Sequence, residues 1–203
     1  MRRKPGFTLM ELLIVLAVLS ILIGVVIPSS RPTLYDELRA TAQVIAADLA
    51  YARSLAVTGD SEYIVEFTPK TNQLTIEHAG ANPLLDELPP SPFRNPTDPD
   101  DTHILDLDEL PRIGPPSSLI GAVSAANVEV DSVTFGPLGE LSGGSDVSIW
   151  LGVGAESQRI YLALRINAVT GLVEVDTQIT SELPAKLSDL QQAKQPIVRV
   201  QLN

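Results

Sequence analysis

Residues Phe7–Ile27, FTLMELLIVLAVLSILIGVVI, make an apolar run of 21 residues with one charge, Glu11. As a helix rising about 1.5 Å per residue, such a run reaches roughly 31 Å, enough to cross the hydrocarbon core of a bilayer. A helix in a globular core seldom stays apolar on every face for so many turns. The run is therefore expected to be a transmembrane helix. Arg2, Arg3 and Lys4 precede it, whereas residues 29–203 carry 24 acidic against 11 basic residues, a net charge of −13. The basic flank predicts a single pass with the N-terminus in the cytoplasm and the head outside it.

A secretory signal also begins basic and turns apolar, but its apolar stretch is shorter and a small-residue cleavage site follows it. Here the run leads into Val26-Ile-Pro-Ser-Ser30, and the informative small residue, Gly6, precedes the run. Gly6-Phe-Thr-Leu-Met-Glu11, continuing Leu-Leu-Ile-Val-Leu-Ala17, resembles the class III leader of type IV pilins and of type II secretion pseudopilins. One departure is Pro5, where a basic residue often stands. The resemblance implies that residues 1–6 are a leader removed by a prepilin peptidase between Gly6 and Phe7. It also implies methylation of the new N-terminal Phe7, and retention of helix 7–27 as an inner-membrane anchor that becomes the core of a filament.

Glu11 is the costly residue of this segment. A carboxylate at the centre of a span costs about 2.5–3.5 kcal/mol, and less towards an edge. Cleavage after Gly6 would create an α-amino group on Phe7, a counter-charge for Glu11 on a neighbouring subunit. The alternative is a Glu11 that reaches to the membrane interface. The resemblance implies the first, with Glu11 serving filament assembly.

Beyond the anchor, Leu34, Leu38, Ala42, Ile45, Leu49, Ala52 and Ala56 recur at helical spacing and predict an amphipathic stalk over residues 28–58. Thr33 is the expected N-cap, Asp36 and Glu37 suit the first turn, and Gly59 is the expected stop. Pro28 and Pro32 are candidates to kink the join. Residues 59–203 read as a β-rich head. Tyr63–Phe67 and Leu74–His78 flank the turn-like Thr68–Asn72 and predict a hairpin. Further strands are expected at Asn127–Phe135, Val147–Val153, Arg159–Ile166 and Leu172–Val175. Residues 80–118 hold nine of the 16 prolines and eight acidic residues. They predict a long acidic loop with a short strand near Ile104–Leu107. A short helix over Glu182–Lys194 and a strand over Ile197–Leu202 end the chain, with no role assigned. The strands bury one face, so Trp150 is expected between sheet and stalk.

Phe135-Gly-Pro-x-Gly139, two apolar strands and then Thr170-Gly-x-Val173 are similar to the C-terminal half of H-type minor pseudopilins and their pilus-system relatives. The fold class expected is thus α+β: a pilin fold whose long N-terminal helix, half transmembrane, packs on an antiparallel β-rich head. What the resemblance implies is a structural minor pseudopilin of a type II secretion system that initiates or caps a periplasmic pseudopilus. The alternatives are a type IV pilus minor pilin, possibly tied to DNA uptake, and a membrane-tethered acidic or calcium-binding module. Partners implied are other pilins or pseudopilins, the prepilin peptidase and the inner membrane.

Catalytic and metal signals are weak. There is no cysteine, which excludes disulfides and thiolate metal sites. Asp98, Asp100 and Asp101, near His103, Asp106, Asp108 and Glu109, could supply oxygen ligands to calcium. They lack the glycine and spacing of an EF-hand and read better as a solvated acidic loop. Only His78 and His103 could serve a Ser-His-Asp arrangement, and no nucleophile, zincin or phosphate-loop motif accompanies them. No enzyme activity and no cofactor is expected. The acidic head lacks the basic surface that phosphate backbones require, so no nucleic acid is expected as partner.

Overall fold

The computed structural model describes residues 8–29, 34–89, 98–111, 116–155 and 158–188, with the backbone alone for 21–29. The chain divides into two compact units, residues 1–33 and 34–203. In the first, helix α1 spans Leu9–Ser29. Its side chains are exposed all round from Thr8 to Ser20. That is what an apolar helix offers to lipid or to neighbouring helices. Among the described residues no helix is long and apolar enough to cross a membrane. The expected leader and the join around Pro32, with the Thr33 cap, lie outside the described residues.

The second unit is α+β, a helix followed by two antiparallel sheets. Helix α2, Leu34–Gly59, carries Asp36 and Glu37 in its first turn, where the helix dipole favours acids. The residue that ends it in a left-handed conformation is Asp60, with φ 47°, rather than Gly59. Ser61 N–H then bonds back to Ala56 O at 3.1 Å and satisfies one terminal carbonyl. The stripe Leu38, Ala42, Ile45, Leu49, Ala52 and Ala56 is fully buried, as its spacing predicts. Two polar residues, Thr41 and Asp48, are buried beside it.

The first sheet comprises β1 (Tyr63–Thr68), β2 (Gln73–His78), β3 (Thr102–Asp106) and β6 (Ser132–Phe135), in the order β3-β2-β1-β6. The β1–β2 hairpin is the one expected, and its left-handed residue is Asn72, φ 59°. The second sheet, β5-β4-β7-β8-β9, comprises β4 (Ser118–Ser124), β5 (Glu129–Val130), β7 (Val147–Val153), β8 (Ile160–Ile166) and β9 (Val173–Val175). Every pairing in both sheets is antiparallel.

Two expectations fail here. The strand expected over Asn127–Phe135 is two strands in different sheets, divided at Asp131, so one chain segment stitches the sheets together. Strand β4 was not foreseen: it is buried on both faces, and such a strand reads as an unbroken apolar run without the alternation that marks half-buried ones. The Pro-rich stretch 80–118 is also less of a loop than expected. It contains a 3-10 turn at Pro83–Leu85, all of β3 and the start of β4.

Two side chains tie these layers together. Asn72 donates from Nδ2 to Ser117 O (3.0 Å) and accepts from Leu119 N–H (2.7 Å), continuing β4 onto the hairpin as a strand would. Arg53, on α2, donates from Nε to Gly139 O (3.2 Å) and Thr170 O (2.8 Å). The turns of Phe135–Gly139 and Thr170–Val173 therefore meet beneath one guanidinium. Contact is so close that a Cβ on Gly171, φ 60°, would collide with the Gly139 carbonyl. Gly171→Ala is expected to destabilise the head by about 1–3 kcal/mol, combining left-handed strain with that collision. Thermal melting of the variant tests this: an unchanged midpoint contradicts the packing described.

Candidate functional site

The N-terminal candidates divide at residue 8. Gly6 and Phe7 lie outside the described residues, whereas Glu11 sits in the first turn of α1. Its N–H donates to Thr8 Oγ1 at 3.3 Å, and Leu12 N–H donates to Thr8 O at 3.3 Å. Thr8-Leu-Met-Glu11 thus has the pattern of a capping box, with threonine at the N-cap and glutamate at the third helical position. An acid there is favoured by the helix dipole, which lowers the cost of a charge at this edge of an apolar segment. In the sequence, the signal of this cap is T-x-x-E at the start of the apolar run.

The acidic stretch does not converge on one point. Among the described residues no group of three or more His, Asp or Glu could hold a metal ion. Several of the residues in this stretch make local bonds. Thr102 Oγ1 donates to Asp101 Oδ1 at 3.2 Å, and the Asp100 carbonyl accepts from Leu88 N–H at 2.9 Å. Asp106 accepts from Gln73 Nε2 and Asp108 N–H, both at 2.8 Å. Asp108 accepts from Asn72 Nδ2 at 2.9 Å.

His103 is the clearest departure from the sequence reading, which put it in a solvated loop. It lies on β3 with its side chain 1% exposed, and its Nε2 is 2.7 Å from Asp48 Oδ1, itself 2% exposed. The Tyr51 ring meets the imidazole edge-on at 5.9 Å. Asp48 Oδ2 and His103 Nδ1 are buried without a hydrogen-bond partner. The sequence held a clue: Asp48 falls three residues after Ile45 on the apolar stripe, where an unpaired acid would not be tolerated. Asp48→Ala is expected to cost about 3–5 kcal/mol by stranding a buried partner, while Asp48→Leu with His103→Leu should recover much of the loss. Denaturant unfolding of the singles and the double checks this, and a double no better than Asp48→Ala contradicts it.

His78 has a different setting. Its Nε2 lies 2.7 Å from Ser61 Oγ and its Nδ1 2.7 Å from Asp86 Oδ1. A Ser-His-Asp chain is therefore present where the sequence offered no motif for one. The surroundings are not those of a nucleophile. Ser61 Oγ lies against Gly80, where a Cβ would collide with it, and Ser61 N–H is already bonded to Ala56 O. The depression of about 230 Å³ beside the chain is lined by Glu77, His78, Asp86, Asp101 and Thr102, not by Ser61. Asp86 is 55% exposed. The chain acts as a clasp joining the end of α2, β2 and the 3-10 turn.

Tyr63 packs on His78 with ring centroids 5.1 Å apart. Burial, and secondarily the Asp86 charge, raise its pKa above 10.0. A raised phenol favours the fold while neutral. This contribution is complete below the unfolded value near 10 and is lost as pH rises through the folded value. Stability is thus expected to fall above about pH 10, and less so in Tyr63→Phe; equal slopes in alkaline unfolding curves contradict this.

Residues 1–27 match the family described as the prokaryotic N-terminal methylation motif. That segment includes Gly6, Phe7 and Glu11. No curated protein matches the chain. Among solved structures, the chain is similar to the type IV minor pilin FimU of Pseudomonas aeruginosa (strain PAO1). In the P21 crystal form the identity is 17% and the TM-score 0.47, covering 73% of this chain and 96% of that one. In the P65 form the identity is 17% and the TM-score 0.43, covering 71% and 98%.

Proposed function

We propose that this chain is a membrane-anchored structural subunit of a type IV pilin-like filament. It is cut between Gly6 and Phe7 by a prepilin peptidase, methylated on Phe7, and held in the inner membrane by residues 7–27 with its head outside the cytoplasm. The observation that carries this reading is the methylation motif over residues 1–27. The exposed apolar surface of α1 from Leu9 to Leu19 supports it, because such a surface needs lipid or partner helices.

Within that class the chain acts as a minor pseudopilin of a type II secretion system, initiating or capping a periplasmic pseudopilus. Support comes from the turns at Phe135–Gly139 and Thr170–Val173, which resemble those of H-type pseudopilins and their pilus-system relatives and which meet beneath Arg53. The Phe7 ammonium of one subunit pairs with Glu11 of the next. The head, net −13 over residues 29–203, binds neighbouring heads rather than nucleic acid.

Intact mass of the membrane-extracted protein is expected to correspond to residues 7–203 plus one methyl group. A chain that keeps Met1, or starts beyond residue 28, overturns the proposal. Glu11→Gln keeps a side chain able to close the capping box but removes the charge. It should leave insertion and processing intact while abolishing crosslinks to partner subunits. Unchanged crosslinking removes the Glu11 pairing. Mass spectrometry of the crosslinked partners decides the system: pilus pilins in place of secretion pseudopilins would make the chain a minor pilin of a pilus.

A further inference from the structure

Trp150 does not lie between sheet and stalk as its strand position suggested. On β7, Ile149 and Leu151 turn towards the core shared with α2, so Trp150 takes the opposite face. There Leu183 and Leu187 of the C-terminal segment pack into its cluster, and the chain covers this face itself. Among the described residues nothing closes a second apolar surface, a cavity of about 250 Å³. Strands β5 and β6 are the terminal strands of their sheets, and both line the cavity, through Val130, Ser132, Val133 and Thr134. Its apolar floor includes Val133, Leu141 and Val147, all buried. Its rim is Ser142-Gly-Gly-Ser145, of which the first three residues are exposed. A Cβ on Gly143 or Gly144 would meet nothing within 4 Å, so the cavity opens to solvent on that side.

Size, edge and charge define an occupant. An apolar cavity of roughly 150 Å³ takes benzene, and small-molecule sites begin near about 300 Å³. The observed volume therefore suits one large side chain carried by a bigger partner. A terminal strand offers its outer row of N–H and C=O groups to an adjacent extended chain. Part of that row on β6 is taken, because Thr134 O accepts from Ser142 N–H at 2.9 Å. None of the described lining residues is charged. Around them every charge is negative: residues 118–155, which supply the whole lining, hold Glu129, Asp131, Glu140 and Asp146 and no Lys, Arg or His. Glu129 and Asp131 are exposed on either side of Val130. A second copy, with net −13 over residues 29–203, would bring acid to acid here. We infer that the cavity is a docking site for an extended, basic segment of a partner protein. One side chain of leucine or phenylalanine size seats over Val133, Leu141 and Val147. A Lys or Arg directly before and after it meets Glu129 and Asp131, since alternate residues of neighbouring strands share a face. The site lies wholly in the head and does not rest on the filament reading.

The test uses the full chain in phosphatidylcholine nanodiscs, with empty nanodiscs as the blank. It is titrated with a fluorescein-labelled peptide, Thr-Lys-Phe-Lys-Thr, and binding is read by anisotropy. Saturable binding is expected. Replacing the peptide's Phe by Ser should weaken it about tenfold, through lost apolar burial. Replacing both Lys by Gln should also weaken it about tenfold, as should Glu129→Gln with Asp131→Asn in the protein. Gly143→Leu adds bulk at the open rim and should weaken binding as strongly while the melting midpoint stays unchanged. The Glu129→Gln, Asp131→Asn variant alters only exposed side chains, so it decides the matter even where Gly143→Leu lowers the midpoint. The inference is overturned by the absence of saturable binding, by equal binding of the Ser or Gln peptides, or by binding that neither variant weakens. It is also overturned by self-association of the full chain that Gly143→Leu abolishes, which would give the cavity to a second copy.

Discussion

The head depends on one helical stripe. Leu38, Ala42, Ile45, Leu49, Ala52 and Ala56 are all inaccessible to solvent, and the core they belong to includes residues of both sheets. Two separate sheets can share one helix only if its surface is narrow and small. Three of the six positions are alanine, which lets strands approach the helix closely, while Leu38, Ile45 and Leu49 fill the gaps between them. The Arg53 guanidinium on the turns and the Asn72 amide on β4 add direction to that packing, because hydrogen bonds fix register where apolar contact does not.

The acidic and histidine residues show how a polar group is absorbed by such a head. His103 and Asp48 tie β3 to α2 from inside, and Ser61, His78 and Asp86 tie the end of α2 to the following turn from its margin. Both sets could be mistaken for chemistry on residue types alone. Access separates them from it: His103 and Asp48 are sealed, and Ser61 Oγ is capped by Gly80. Asp101, Asp106 and Asp108 of the Pro-rich stretch likewise accept from turn groups and neighbouring side chains.

At the N-terminus two accounts of Glu11 are compatible. Within its own helix it sits where backbone N–H groups and the helix dipole favour a carboxylate. Between subunits of the proposed filament it would meet the ammonium that cleavage after Gly6 would create. The first explains why the residue can be present in an apolar segment at low cost, and the second explains why a charge would be useful there.

Local periodicity and composition determined much by themselves. The apolar run with its single acid, the basic flank, the buried stripe of α2, the β1–β2 hairpin and the strands Val147–Val153 and Ile160–Ile166 were legible, because each is set by the spacing of neighbouring residues. Tertiary structure alone decided the rest. It split Asn127–Phe135 between two sheets, buried β4 on both faces and turned Trp150 away from the stalk onto the C-terminal segment. It also brought His103 to Asp48 across 55 positions and Arg53 to Thr170 across 117. The reason is physical: a side chain's neighbours along the strand set which residues share its face, but only packing sets what covers that face.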